Sequence, residues 1–178
     1  ADDVAVARFL DDFLARHRGG QQVRMQQWIG SQALSAEDRQ RLEERFESEL
    51  AQAARYLQAE DVDDSECSRV RRMRAAILFI DLNRQLPLLA WPAEIIDALA
   101  ETEQAMLVFR QRHARMVERV IGRRVGTGGS DGVAYLDKTA LEYRVFREIW
   151  AARTLLLPPE LAPPVGEPSF YDYAAPRR

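Results

Sequence analysis

Three observations predict an all-α fold, a helical bundle with an extended Pro-rich C-terminal tail. Apolar residues recur at three- and four-residue spacing through nearly the whole chain. Glycine and proline gather at a few junctions instead of punctuating short strands, and hydroxyl or carboxylate residues stand where helices need N-caps. The 178 residues, 47% of them hydrophobic, suffice for one sizeable core. The expected organisation is a single helical domain over residues 1–157 and a tail over 158–178.

The elements follow in order. Val4, Phe9, Phe13 and Leu14 predict a first short helix that ends before Gly19 and Gly20, because paired glycines favour turns. A second short helix runs to about Ile29. Ser35, three residues before Asp38, caps a third helix with Leu42, Phe46, Leu50, Ala53, Ala54 and Leu57 on one face and a solvated charged face opposite. The acidic run Glu60 to Asp64 breaks that helix, and Ser65 caps the next, over about 66–85. Arg69, Arg71, Arg72 and Arg74 near its start oppose the helix dipole, so they serve either the preceding acidic run or a bound anion. Pro92 opens a long helix over about 93–121, with an apolar face of Ile95, Ile96, Leu99, Met106, Phe109, His113, Met116, Val117 and Val120. A last helix spans about 137–155. Beyond Leu157, prolines at 158, 159, 163, 164 and 168 impose an extended tail.

Composition narrows the function classes. Lys and Arg total 25 against 28 Asp and Glu, a net charge of −3, so the chain as a whole presents no electrostatic footprint for nucleic acid or an anionic membrane. No window approaches the roughly 18 apolar residues of a membrane span, and no secretory signal is readable, so a cytoplasmic protein is expected. Cys67 is the lone cysteine, which excludes an intrachain disulfide and a thiolate-built metal site. With only His17 and His113, any metal chemistry needs a cofactor that brings its own ligands. His17, in a hydrophilic run beside Gly19, is expected at the surface.

Two features depart from a plain bundle. His113 interrupts an apolar helix stripe. It is either a core histidine with satisfied nitrogens or an axial haem ligand, since a neutral imidazole in an apolar wall is what five-coordinate haem iron requires. Arg110, Arg112 and Arg115 nearby are suited to carboxylates, propionates included. The second feature is Gly126-Thr127-Gly128-Gly129-Ser130-Asp131-Gly132, with four glycines in seven residues. It reads as a plain interhelical connection or as a loop whose amides approach a ligand's anionic group. Lacking a preceding strand and a following Lys, it is not a P-loop.

Taken together, Phe109-Arg-Gln-Arg-His113, Gly126-Thr-Gly-Gly-Ser-Asp-Gly-Val-Ala-Tyr-Leu136 and Phe146-Arg-Glu-Ile-Trp-Ala-Ala-Arg-Thr154 closely resemble the C-terminal part of the tryptophan 2,3-dioxygenase family over about residues 68–157, with residues 1–67 matched weakly. The resemblance implies a haem-dependent enzyme that inserts O2 into the indole ring of L-tryptophan or a related aromatic amino acid, and a homo-oligomer. It implies b-type haem with His113 as axial iron ligand, Phe109 beside the imidazole and Arg110 near the cofactor. Thr127, with Gly126 and Gly128, would hold the substrate's amino-acid groups, fourteen residues after His113 as in the family. Asp131 stands where the family usually has Ser. The family's distal histidine and its carboxylate-binding arginine are not readable here, and Arg16, Arg18 and Arg24 are the candidates for the latter. The chain opens on Ala1 without a Met, so either upstream helices lie outside this sequence or the distal half has been discarded. Two alternatives keep the haem scaffold: a mono-oxygenase of tryptophan or tyrosine derivatives, and a non-catalytic haem protein.

Overall fold

The computed structural model describes residues 3–31, 34–122, 132–142 and 144–173, and among them it holds helices and no strand, as the periodicity predicts. Six α-helices follow in order: α1 (Asp3–Ser31), α2 (Ala36–Gln58), α3 (Asp64–Leu82), α4 (Pro87–Ile121), α5 (Gly132–Glu142) and α6 (Arg147–Thr154). The chain divides into two compact units, Ala1–Pro92 with Ala152–Arg178, and Ala93–Ala151.

In the first unit α1, α2 and α3 pack on one another around Leu10, Phe13, Leu57, Leu78, Ala152 and Leu157, all buried. Each large side chain placed there contributes about 1.5–3 kcal/mol by leaving water. α1 does not stop at Gly19 and Gly20. It runs through them as one helix of 29 residues. Glycine in a helix interior costs about 1 kcal/mol relative to alanine, but here Gly20 has a packing use. It is buried, and a methyl group on it would collide with the side chain of Leu161.

Helix ends follow local chemistry. Ser35 caps α2 as predicted, its Oγ accepting from the Asp38 amide at 3.1 Å. Ala59 ends the helix in the left-handed region at φ 57°. The charged outer face of α2 is exposed and carries spaced pairs such as Arg41 with Glu37 at 2.6 Å. α3 begins one to two residues before the Ser65 cap expected from sequence, because the Asp63 carbonyl accepts from the amides of Glu66 and Cys67. Three of the four arginines on α3, Arg69, Arg72 and Arg74, find acidic partners, whereas the buried Nε of Arg71 has none among the described residues. Arg69 pairs with Glu66 at 2.5 Å, and Arg72 lies 3.5 Å from Asp3. Arg74 is fully buried and grips both Asp61 oxygens at 2.7 and 2.8 Å. Its guanidinium also lies 3.9 Å over the Tyr56 ring. These hydrogen bonds hold the Asp61 carboxyl below its ordinary range. Arg74 therefore serves the acidic run. Cys67 is half-buried, its thiol 3.5 Å from the Gln58 carbonyl.

Past Leu157 the backbone is extended apart from two 3-10 turns, Pro159–Leu161 and Pro168–Tyr171. Leu161 and Ala162 pack on the first unit's core, and Tyr171 meets Phe79 with ring centroids 5.8 Å apart.

Candidate haem-ligand face on α4

α4 is longer than predicted. It starts at Pro87, where the Leu86 carbonyl accepts from the Leu89 and Ala90 amides, and it runs through Pro92 without ending. A proline at the first helical position leaves no donor orphaned, so Pro87 takes the role that the sequence reading assigned to Pro92.

The apolar face read from the sequence along α4 is largely open. From Ile95 to Val120 the residues Ile95, Leu99, Thr102, Met106, Phe109, His113, Met116 and Val120 follow alternating four- and three-residue steps, the spacing of a helix-packing seam. Among the described residues Met106 is 41%, Phe109 68%, Met116 56% and Val120 76% exposed. The buried seam lies to one side and consists of Ile96, Ala100, Glu103 and Ala114. Sequence hydropathy favoured the larger side chains, whereas the buried positions hold one isoleucine, two alanines and a glutamate.

His113 sits within the open seam, half-buried, and its ring stacks on Phe109 with centroids 6.1 Å apart and planes 15° from parallel. No hydrogen bond engages its imidazole among the described residues. An unengaged imidazole in an exposed apolar strip fits a flat apolar group that offers a ligand position to nitrogen. No group of three or more His, Cys, Asp or Glu side chains able to hold a bare metal ion exists among the described residues. Haem does not need one, since the porphyrin supplies its own nitrogens and asks the protein for an axial imidazole.

Phe109 and Arg110 face different clefts. Phe109 borders an open one with Val108 and Arg112. Arg110 borders an apolar cleft of about 290 Å³ lined by Met106, Leu107, Phe146 and Trp150. At its base Glu103 is buried, its Oε1 accepting from the amides of Val145 at 2.5 Å and Phe146 at 2.9 Å while Oε2 accepts from the Trp150 indole. Burial pushes the Glu103 carboxyl up. The donors from Phe146, Trp150 and Val145, with the charge of Arg144, outweigh that and hold it below the ordinary range. This carboxylate explains why the single helix expected over 137–155 is two. The amides at 145 and 146 turn out of the helical ladder to reach Glu103, so α5 and α6 are separate. On the other side of α4, Arg115 binds Glu118 at 2.6 Å and also Asp137 of α5.

Sequence reasoning did not single out Glu103. The available signal was a lone carboxylate in register with Ile96, Ala100 and Ala114. His17, expected at the surface, is instead only 6% exposed, stacked on Phe13 with no partner for Nδ1. The continuation of α1 through Gly19 is the reason, because it keeps His17 on the packed face below Phe13. Arg16, Arg18 and Arg24 lie on α1 in the first unit, and Arg16 is tied to Asp12 at 3.0 Å. Gly126, Thr127, Gly128 and Asp131 lie outside the described residues.

The sequence profile of the tryptophan 2,3-dioxygenase family matches residues 21–156. The chain is 46% identical to tryptophan 2,3-dioxygenase 2 of Ralstonia nicotianae, over 97% of this chain and 47% of that protein. It is 49% identical to tryptophan 2,3-dioxygenase of Sorangium cellulosum, over 97% of this chain and 42% of that protein. A tryptophan 2,3-dioxygenase-like protein of Xanthomonas campestris is 46% identical over 94% of this chain and 62% of its own length. The chain thus spans about half the length of the curated relatives it matches. No solved structure matches it.

Proposed function

The chain belongs to the tryptophan 2,3-dioxygenase family, and on that premise we propose that it carries the haem-ligating face of an oxygenase that adds O2 to the indole ring of L-tryptophan or a related aromatic amino acid. The observation that carries this reading is His113, stacked on Phe109 in an exposed apolar strip on α4, with no hydrogen bond to its imidazole among the described residues. His113 holds the iron of a b-type haem. Met106, Phe109 and Met116 shield one face of the ring from water, and the parallel stack on Phe109 fixes the imidazole plane. Bound haem supplies the redox-active iron that O2 chemistry requires. Arg110 offers a cation to a carboxylate at the edge of the face. Thr127, with Gly126 and Gly128, holds the substrate's ammonium and carboxylate. Excluding water around an indole so held is the protein's further contribution. The reading includes a homo-oligomeric, cytoplasmic protein.

The test is an absorption spectrum of haem-loaded protein, reduced and with carbon monoxide. A histidine-ligated Soret band that disappears in His113→Ala, with helicity unchanged, is the expected result. An unchanged band in the variant removes His113 as ligand. Tryptophan and O2 added to the reduced protein should give a product heavier by two oxygen atoms. One added oxygen assigns a hydroxylase instead, and haem binding without product assigns a carrier.

A further inference from the structure

α1 is continuous where its own sequence favours a break, and the cause lies in the C-terminal tail. Gly19 and Gly20 stand together in the interior of a 29-residue helix, where each lowers the local preference for helix. What meets them from outside α1 is Leu161. Gly20 is buried, and the space a methyl group would need there is taken by the Leu161 side chain. Gly19 is exposed and meets nothing. A local preference that a tertiary contact overrides returns when the contact is removed.

The tail can both dock and leave. Prolines at 158, 159, 163, 164 and 168 fix φ and carry no amide donor, so the segment loses little freedom when it lies on the body. Apolar contacts hold it there: Leu161 and Ala162 on the core of the first unit, the buried Pro163, and the Tyr171 ring on Phe79. The hydrogen bonds of residues 158–173 close only the tail's own turns, with the Leu161 and Ala162 amides donating to Pro158 and Pro159, and those of Phe170 and Asp172 to Glu167 and Ser169. Among the described residues none joins the tail to a helix. Lifting it therefore orphans no donor or acceptor on α1.

A further cost sits one turn before the glycines. His17 shares the buried face of α1 with Leu10, Phe13 and Gly20, and its Nδ1 has no hydrogen-bond partner among the described residues. A buried nitrogen left unpaired disfavours the closed arrangement. Opening the helix at Gly19 and Gly20 gives water a way to that atom, so the glycines and the imidazole pull the same way and Leu161 opposes both.

We propose that residues 158–173 are a releasable strap on α1. Docked, Leu161 keeps the Gly19–Gly20 junction helical; lifted, the strap turns that junction into a hinge between residues 3–18 and 21–31. The segment beyond the hinge carries Gln21, Arg24, Met25 and Trp28, which with Leu42 and Phe46 of α2 line a cleft of about 340 Å³. The strap thus sets the shape of that cleft. Every contact involved lies inside the first unit, so the hinge works with or without haem.

Amide hydrogen exchange of the full chain tests the strap. In a continuous helix the amides of Gln21, Gln22, Val23 and Arg24 bond to the carbonyls of His17 to Gly20, so these four report on the junction. Leu161→Ala should accelerate their exchange about tenfold more than that of the Leu57 and Leu78 amides in the core. Adding Gly19→Ala and Gly20→Ala to Leu161→Ala should slow the four again, because alanine favours helix and, with the Leu161 side chain gone, has room at both positions. Native exchange at the four amides in Leu161→Ala means that α2, which packs along α1, holds the helix by itself, and it overturns the strap. Acceleration of the junction and core amides by one factor means that the whole first unit has loosened, and overturns it too. Fast exchange that the two alanines do not slow places the opening away from the glycines and overturns the hinge.

Discussion

The two imidazoles of the chain show how much one residue's surroundings decide. His113 lies on an open strip and His17 in a packed one, although their immediate sequences suggest the reverse. His113 was legible because Phe109, Met116 and Val117, four residues before it and three and four after, are apolar, and Phe13 and Leu14, four and three residues before His17, carry the same signal. Phe13, four residues before it, is fully buried, but the flanking arginines and glycines hid that register. His17 then carries a pH signature. Burial is the main cause that lowers its pKa below the usual histidine value, the charge of Arg24 adds to it, and Glu49 on α2 opposes it. The neutral ring is therefore the folded form. Above pH 6.5 the folded and unfolded chains both carry neutral His17 and stability is at its plateau. As pH falls from 6.5 toward the lowered folded value, the unfolded chain takes up the proton first and stability declines. His17→Phe keeps the stack on Phe13 and cannot titrate. Urea unfolding monitored between pH 7.5 and 5.5 should show a smaller loss of stability for His17→Phe than for the native chain. Equal slopes would show that His17 is not the group responsible.

At the scale of elements, hydropathy located the helices and missed several of their ends. The Ser35 cap was readable because its partner Asp38 lies three residues away. The break between α5 and α6 was not, because what ends the ladder at 144–146 is Glu103, more than forty residues earlier in the chain. The same distance effect hid the run of α1 through Gly20, whose reason is Leu161. Contacts of this kind are tertiary and leave no local periodic trace. The Glu103 clamp permits a discriminating substitution. Glu103→Gln keeps one carbonyl oxygen for the Val145 and Phe146 amides but turns an NH2 toward the Trp150 indole N–H, so two donors meet. A buried donor left unsatisfied costs about 1–3 kcal/mol. Glu103→Gln should lower stability by that amount and shift Trp150 emission, whereas Glu103→Gln with Trp150→Phe, which removes the stranded donor, should recover part of the loss. If the second substitution recovers nothing, the indole contact is not what the carboxylate serves.

For the molecule as a whole, each of the two compact units holds itself by different means. Ala1–Pro92 with Ala152–Arg178 is closed by an apolar cluster around Phe13, Leu57 and Leu78 and by the buried Arg74. Ala93–Ala151 buries Ile96, Ala100, Ala114, Val133 and Ile149 and adds two polar clamps, Glu103 with the Val145 and Phe146 amides and Arg115 with Asp137. Regions held by separate contact sets open with separate free energies. Phe13→Ala removes a fully buried ring from the first cluster, a change that costs about 3–5 kcal/mol in packed cores. That loss should appear as faster amide exchange through α1, α2 and α3, with the Val145 and Phe146 amides, which report on the Glu103 clamp, exchanging at their native rate. Acceleration of all these amides by one common factor would mean that the chain opens as a single cooperative body. In that case a defect far from His113 would weaken the proposed haem-ligand face as much as one beside it.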